Sequence, residues 1–316
     1  MATVPELDPA AVAEVGARLR ANVQRAVKVD DAVIRDLLVA LFAEGHVLIE
    51  DYPGVGKTAL ARALARSLDA EYARVQCTAD LLPADIVGTN VFNQRDARFE
   101  FHPGPVFANV VLVDEINRTS PKTQSGLLEC MQEGHVTVDG HQHELARPFI
   151  VVATQNPAEY EGTYPLPEAQ LDRFMVRVSL GYPSAADEAE MLHQHARHDR
   201  VHDLDPVTEV GTVRAAQVAV TMIHGSEALR RYVVALGYAT RNDPRVELGA
   251  SPRAMLMLFR AAKALAALDG RDHALPDDVQ ALAGSVLAHR LLLAPDAAID
   301  DGAAVVRDAI DRVAAL

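Results

Sequence analysis

The run Asp51-Tyr52-Pro53-Gly54-Val55-Gly56-Lys57-Thr58 carries the residue types that hold phosphate. Its glycines let the backbone turn N–H groups inward onto phosphate oxygens, and a helix starting behind them adds the positive end of its dipole. Lys57 can then reach the β- and γ-phosphates, and the Thr58 hydroxyl can hold Mg²⁺. Nucleotide contacts are therefore expected from Pro53, Gly54, Val55, Gly56, Lys57, Thr58 and Ala59. The usual pattern opens with glycine, whereas this chain has Asp51 there, so the first turn is made without one.

A phosphate loop alone hydrolyses nothing. The run Val110-Val111-Leu112-Val113-Asp114-Glu115 supplies carboxylates at the end of a buried strand, where ligands bind in open parallel sheets. Asp114 is placed to fix Mg²⁺ through water, and Glu115 to polarise the attacking water as general base. The next apolar run ends in Thr154-Gln155-Asn156-Pro157. Asn-Pro by itself is a turn signal, but after the two preceding motifs the Asn156 amide is expected near the β- and γ-phosphates, orienting the water.

Chemistry of this kind needs a rigid frame. Residues 46–50, 71–77, 110–113 and 149–154 read as strands, the last two apolar throughout as strands buried on both faces of a parallel sheet must be. Residues 58–68 read as a helix, and the alternation of strands with helices predicts an α/β/α sandwich with a parallel sheet. Beyond Gly181-Tyr182-Pro183 the strand-like runs stop, and helical patterns cover 184–198, 226–241, 251–268, 276–293 and 303–315. The 316 residues exceed the roughly 250–300 at which one core stops growing, which predicts a large domain and a smaller helical one. With 49% hydrophobic and 23% charged residues the chain is globular rather than disordered. The start lacks the basic and apolar features of a signal peptide and no apolar run approaches the ~18 residues that cross a bilayer, so the expected location is cytoplasmic. Thirty basic against 44 acidic side chains leave a net charge of −14, which disfavours wholesale attraction to nucleic acid. Cys77 and Cys130 both fall at core-like positions and are expected as reduced, buried thiols.

Further segments carry a family resemblance: Leu81-Leu-Pro-Ala-Asp-Ile-Val-Gly-Thr89, Gly104-Pro-Val-Phe-Ala-Asn109, Asp114-Glu-Ile-Asn-Arg118, Met131-Gln-Glu-Gly134, Ala153-Thr-Gln-Asn-Pro157 and Glu161-Gly-Thr-Tyr-Pro-Leu-Pro-Glu-Ala-Gln-Leu-Asp-Arg-Phe174. Together they resemble the MoxR family of AAA+ ATPases over residues 28–182, and Ser251-Pro-Arg-Ala254 extends the likeness into the helical part. The resemblance implies an AAA+ P-loop α/β/α core over 28–182, with insertions at 79–109 and 135–148. An N-terminal helical segment over 1–27 precedes it and an all-helical lid over 183–316 follows. It further implies ATP and Mg²⁺ as cofactors and assembly of copies into a homo-oligomer, a hexameric ring. Lys57 and Thr58 match the Walker A pair, Asp114 and Glu115 the Walker B pair, and Asn156 the sensor 1 residue. Arg173 matches the arginine finger that reaches a neighbouring subunit's nucleotide; the plain alternative is an ion pair with Asp172 or Glu168. Arg253 matches the sensor 2 arginine of the lid, acting within or between subunits. The implied work is chaperone-like remodelling of protein clients, by maturation or metal-cofactor insertion, often with a partner carrying a von Willebrand factor A domain.

The insertions are candidate client-contacting elements, or else pack between subunits. One should form a hairpin through Asn90-Val-Phe and Arg98-Phe-Glu-Phe101, the other a hairpin turning at Asp139-Gly140. A nucleic-acid motor is the rival reading, since Arg95 and Arg98 lie among Phe92, Phe99 and Phe101 and can stack on bases; the neighbouring acids and the net charge oppose it. His193, His195, His198 and His202 have helical spacing, but no cysteine completes a zinc pattern, so they read as a solvated helix end. His141 and His143 are read with the same restraint.

Overall fold

Alternation within the apolar runs sends successive side chains to opposite faces of one sheet. Val47, Ile49, Val110, Leu112, Ile150, Val152 and Val176 enter one core, while Leu48, Val111, Val113, Val151 and Ala153 enter another. Burial on both faces is what a central parallel sheet requires. The computed structural model describes residues 6–156, 163–182, 185, 200–295, 297–298 and 301–315. Strands β1 (Val47–Glu50), β2 (Tyr72–Gln76), β5 (Val110–Asp114), β8 (Ile150–Gln155) and β9 (Val176–Val178) form a parallel sheet in the order β2-β5-β8-β1-β9. Strands β3 (Gly88–Asn93) and β4 (Arg98–Pro103), and β6 (His135–Val138) and β7 (His141–Glu144), form the two expected hairpins. Edge strand β9 was not among the expected strands: it is short, and Arg177 breaks its apolar run, turning out to Glu50 at 2.9 Å.

Helix α1 (Pro9–Ala26) is capped by Asp8, whose carboxylate accepts the Ala11 N–H at 2.8 Å, and α2 (Asp31–Phe42) follows it. Helix α3 (Lys57–Ser67) leaves the phosphate loop and packs on α1, while the short α4 (Pro83–Val87) leads into the first hairpin. On the second face lies α5 (Pro121–Glu133), capped by Ser120 and closed by Gly134 in the left-handed region at φ 67°. The single-turn α6 (Glu168–Leu171) precedes β9. Helix α1 also packs against the helix Pro252–Leu268, and its buried Asn22 donates to Ser67 Oγ at the end of α3 at 3.0 Å and to the Asp205 carbonyl at 2.9 Å.

The C-terminal part is helical: Val210–Met222, Glu227–Arg241, Pro252–Leu268, Pro276–Leu287 and Asp301–Arg312. The first of these had no sequence expectation, and the helix expected over 184–198 falls, apart from Ala185, outside the described residues. The helix expected over 276–293 stops at Leu287, because His289 and Arg290 turn inward and bond the Phe174 carbonyl. Beyond that turn β11 (Leu292–Leu293) pairs antiparallel with β10 (Val246–Leu248), a ribbon too short to show in the hydropathy pattern.

Candidate functional site

The strands end together. Glu50 is level with Gln155, and Gln76 with Asp114, so the residues that follow β1, β5 and β8 share one edge of the sheet. Gly54 and Gly56 carry φ of 85° and 100°, the left-handed region in which a side chain is strained. A β-carbon built on Gly54 would meet nothing within 4 Å, so the loop faces open space on that side. Helix α3 begins behind it with no side-chain cap, leaving its first N–H groups available to an anion. The Lys57 ammonium donates to the Asp51 carbonyl at 2.5 Å, across the mouth of the loop. A phosphate chain fits this cradle. The Thr58 hydroxyl and the Asp114 carboxylate are oxygen donors of the kind Mg²⁺ takes beside substrate phosphates.

Asp51, which departs from the glycine pattern, is buried. One carboxylate oxygen accepts the Tyr52 N–H at 2.8 Å. The other accepts the Ser179 hydroxyl at 3.0 Å and the N–H groups of Leu180 at 2.7 Å and Gly181 at 2.8 Å.

Beside the loop, Asp114 and Glu115 are held by residues that sequence reasoning missed. The Thr154 hydroxyl donates to Asp114 Oδ1 at 2.6 Å and accepts the Glu115 N–H at 2.9 Å. Glu115 has φ 57°, a left-handed conformation rare for its type, and Thr154 helps to hold it there. Arg74 donates to Asp114 Oδ2 at 2.7 Å, while Gln76 and Arg118 each donate to Glu115 Oε2 at 3.0 Å. The available signal was a hydroxyl closing the apolar run of residues 150–153, since such a group, once buried, needs a partner. Asn156 follows β8 directly and is buried at the same edge.

The two predicted arginines lie elsewhere. Arg173 precedes β9, beside His46, whose carbonyl accepts the Met175 N–H. That is the opposite edge of the sheet, beyond a four-residue β1 about 13 Å long. Its guanidinium donates to the Leu128 carbonyl of α5 at 2.7 Å, and among the described residues it makes no ion pair with Asp172 or Glu168. Asp172 is instead held by Arg290 at 2.9 Å and by the Ser251 hydroxyl at 3.2 Å. Arg253 approaches the same carboxylate at 4.0 Å. Burial lowers the Arg290 pKa to about 10, against the pull of Asp172, and the side chain stays paired there.

The hairpins grip each other. Asn90 donates to Asp139 Oδ2 at 2.7 Å, and the Phe101 and His143 rings stack with centroids 3.8 Å apart. Asp139 and Gly140 both have positive φ, as a two-residue hairpin turn requires. Phe92 and Phe99 face each other across β3 and β4, 49% and 70% exposed, and Arg98 is paired with Glu100 at 2.8 Å. His202 meets Arg62 at 3.2 Å, whereas His193, His195 and His198 lie outside the described residues. Among the described residues no group of His, Cys, Asp and Glu is arranged to hold a metal by itself. Cys77 and Cys130 are free and buried, and burial pushes both thiols up to about 12. No helix among the described residues is long and apolar enough to cross a membrane.

The fold and the sequence both have known relatives. Residues 46–176 match the ATPase family associated with various cellular activities (AAA), and residues 238–315 match the AAA lid domain. The protein YeaC of Bacillus subtilis is 49% identical, covering 87% of this chain and 87% of its own. The protein named chaperone MoxR1 of Mycobacterium tuberculosis is 41% identical, covering 89% of this chain and 76% of its own. A crystal structure described as an ATPase from Cytophaga hutchinsonii superposes with a TM-score of 0.88 at 34% identity, over 96% of each chain.

Proposed function

The chain belongs to the MoxR family of AAA+ ATPases, and we propose that it carries an ATP site on one edge of its sheet and completes a neighbour's site from the other. ATP hydrolysis is the activity that membership carries. In this reading residues 53–59 cradle the phosphates, with Lys57 neutralising charge on the β- and γ-phosphates. Thr58 and Asp114 would hold Mg²⁺, which when bound neutralises charge on the same oxygens. Glu115 accepts the proton of the attacking water, and Asn156 orients that water from the end of β8.

Arg173 and Arg253 serve the neighbour. The observation that carries this is the placement of Arg173, anchored on Leu128 at the edge opposite its own phosphate loop. A guanidinium there cannot reach its own γ-phosphate, but a head-to-tail neighbour can present one. Arg253, brought to Asp172 on the same side, is read as acting between subunits too. Closed head-to-tail contact gives a ring, read as hexameric, and its work as chaperone-like remodelling of protein clients in the cytoplasm, in line with the relative named chaperone MoxR1. Maturation or metal-cofactor insertion, with a von Willebrand factor A domain partner, is the client role the family likeness suggests. The exposed Phe92 and Phe99 pair is the surface we assign to clients, and the pairing of Arg98 with Glu100 disfavours the nucleic-acid rival.

The test mixes two inactive variants. Glu115→Gln lacks its base and Arg173→Ala lacks its finger, so neither ring should turn over. In an equal, verified mixture about a quarter of interfaces pair an intact Glu115 with an intact Arg173, and ATPase activity should reappear. Mixed rings as inactive as their parents would place Arg173 outside the neighbour's site.

A further inference from the structure

We propose that Asp51 is a positioning residue that ties the phosphate loop to the segment entering the lid, so that nucleotide binding is transmitted along that tie; this rests on reading residues 53–58 as the phosphate loop. One residue joins three parts of the chain. Its N–H donates to the Gln155 carbonyl at 3.1 Å, extending the sheet, and its carbonyl accepts Lys57 at 2.5 Å. Its second carboxylate oxygen is filled by three donors from 179–181, the end of the path from β9.

A carboxylate only 5% exposed is costly unless its lone pairs are filled. Residues 179–181 therefore cannot leave the loop without stranding the charge, and the loop cannot change shape without moving its anchor. A second contact joins the same segments: the rings of Tyr52 and Tyr182 lie 6.1 Å apart and within 16° of parallel. Glycine, the usual residue at this position, would make the turn but hold nothing. Lys57 is the sensing end of the device. When its ammonium goes to a phosphate it gives up the Asp51 carbonyl, and the residue so released is the one whose side chain holds the lid segment.

The test is Asp51→Gly in the full chain, with Asp51→Asn as the conservative variant that keeps one acceptor oxygen. Nucleotide affinity is read with a fluorescent ATP analogue, turnover as kcat and KM, and the tie by hydrogen exchange of a peptide spanning 177–182 with and without ATPγS. We expect Asp51→Gly to bind nucleotide within about threefold of the parent while kcat falls about tenfold or more. The Leu180 and Gly181 amides should exchange faster and lose their response to nucleotide, and Asp51→Asn should recover part of both. Wild-type turnover with an unchanged exchange response overturns the proposal. So does a parallel loss of affinity and kcat with the response intact, which would make Asp51 a shaper of the loop only. Should Asp51→Gly not fold, Ser179→Val removes one of the three donors without touching the loop, and must weaken the exchange response at unchanged affinity. Lys57→Ala separates the two readings: if it binds nucleotide normally, the phosphate loop assignment fails and not the tie.

Discussion

Replacing Thr154 by valine keeps shape and removes a hydroxyl that holds both carboxylate residues of the site. The side chain is fully buried, so no water can substitute for it. Two losses follow: the 2.6 Å bond to ionised Asp114, worth roughly 1.5–3 kcal/mol, and the 2.9 Å bond that satisfies the Glu115 N–H, whose stranding costs roughly 1–3 kcal/mol. Part of the second is recovered because Glu115, at φ 57°, relaxes from a conformation costing of order 1–3 kcal/mol. The net destabilisation is then roughly 3 kcal/mol, which in a chain of this length lowers Tm by roughly 6 °C. That relaxation also moves Asp114 and Glu115. A displacement of about 1 Å costs about 10²-fold in rate, and it should appear in kcat with KM little changed, since Thr154 does not touch the phosphate loop. Thr154→Ser, which keeps the hydroxyl, should stay within a few fold of the parent. Steady-state ATPase assays with parallel thermal melts decide the matter: if Thr154→Val loses stability yet keeps kcat within about twofold, the hydroxyl supports the strand ends and does not position the chemistry.

In the loop, Lys57→Ala should impair nucleotide binding, whereas Glu115→Gln, at the end of β5, should keep binding and lose hydrolysis; normal turnover by the latter would remove Glu115 from the reaction. The buried His46, bonded to the Met131 carbonyl and the Val151 N–H, has its pKa lowered by burial from 6.5 to about 4. The unfolded chain therefore binds the proton more readily, and the stability this histidine contributes is complete above about pH 6.5 and lost as pH falls toward 4, about 3 kcal/mol in all. Urea titrations across that range should show a steeper acid loss for the parent than for His46→Gln; equal slopes would clear His46 of the effect.

What the sequence shows well is what is local. The phosphate loop, the Asp114-Glu115 pair and Asn156 each follow an apolar strand directly, so a short stretch of chain places them at one edge. The parallel sheet was legible because its central strands are apolar on both faces. Strand β9 and the ribbon of β10 and β11 were not, being two or three residues long and set by pairing rather than pattern. The helix Val210–Met222 starts at Glu209 without a side-chain cap, which removes the usual start signal. The supports of the site were hidden for another reason. Thr154 meets Asp114 across 40 positions and Arg290 meets Asp172 across 118, and neither spacing has a periodicity to detect. Asp51 read as a defect in a glycine pattern because its carboxylate is used by residues 128 to 130 positions downstream.

Helix α5 joins places that the chemistry keeps apart. Its thirteen residues make a rod about 20 Å long. Just before its first turn stand Glu115 and Arg118, ion-paired at 3.0 Å; along its length the Leu128 carbonyl carries Arg173; and from its far end, past Gly134, springs the hairpin gripped by its companion through Asp139 and His143. A load applied at the Phe92 and Phe99 tips thus reaches a stiff lever whose middle carries Arg173, the residue proposed to complete a neighbour's site, and whose root lies beside Glu115, the proposed base. Under that proposal, resistance at the hairpin tips would change the geometry at two successive sites, so stalling and firing become questions of leverage on a single helix.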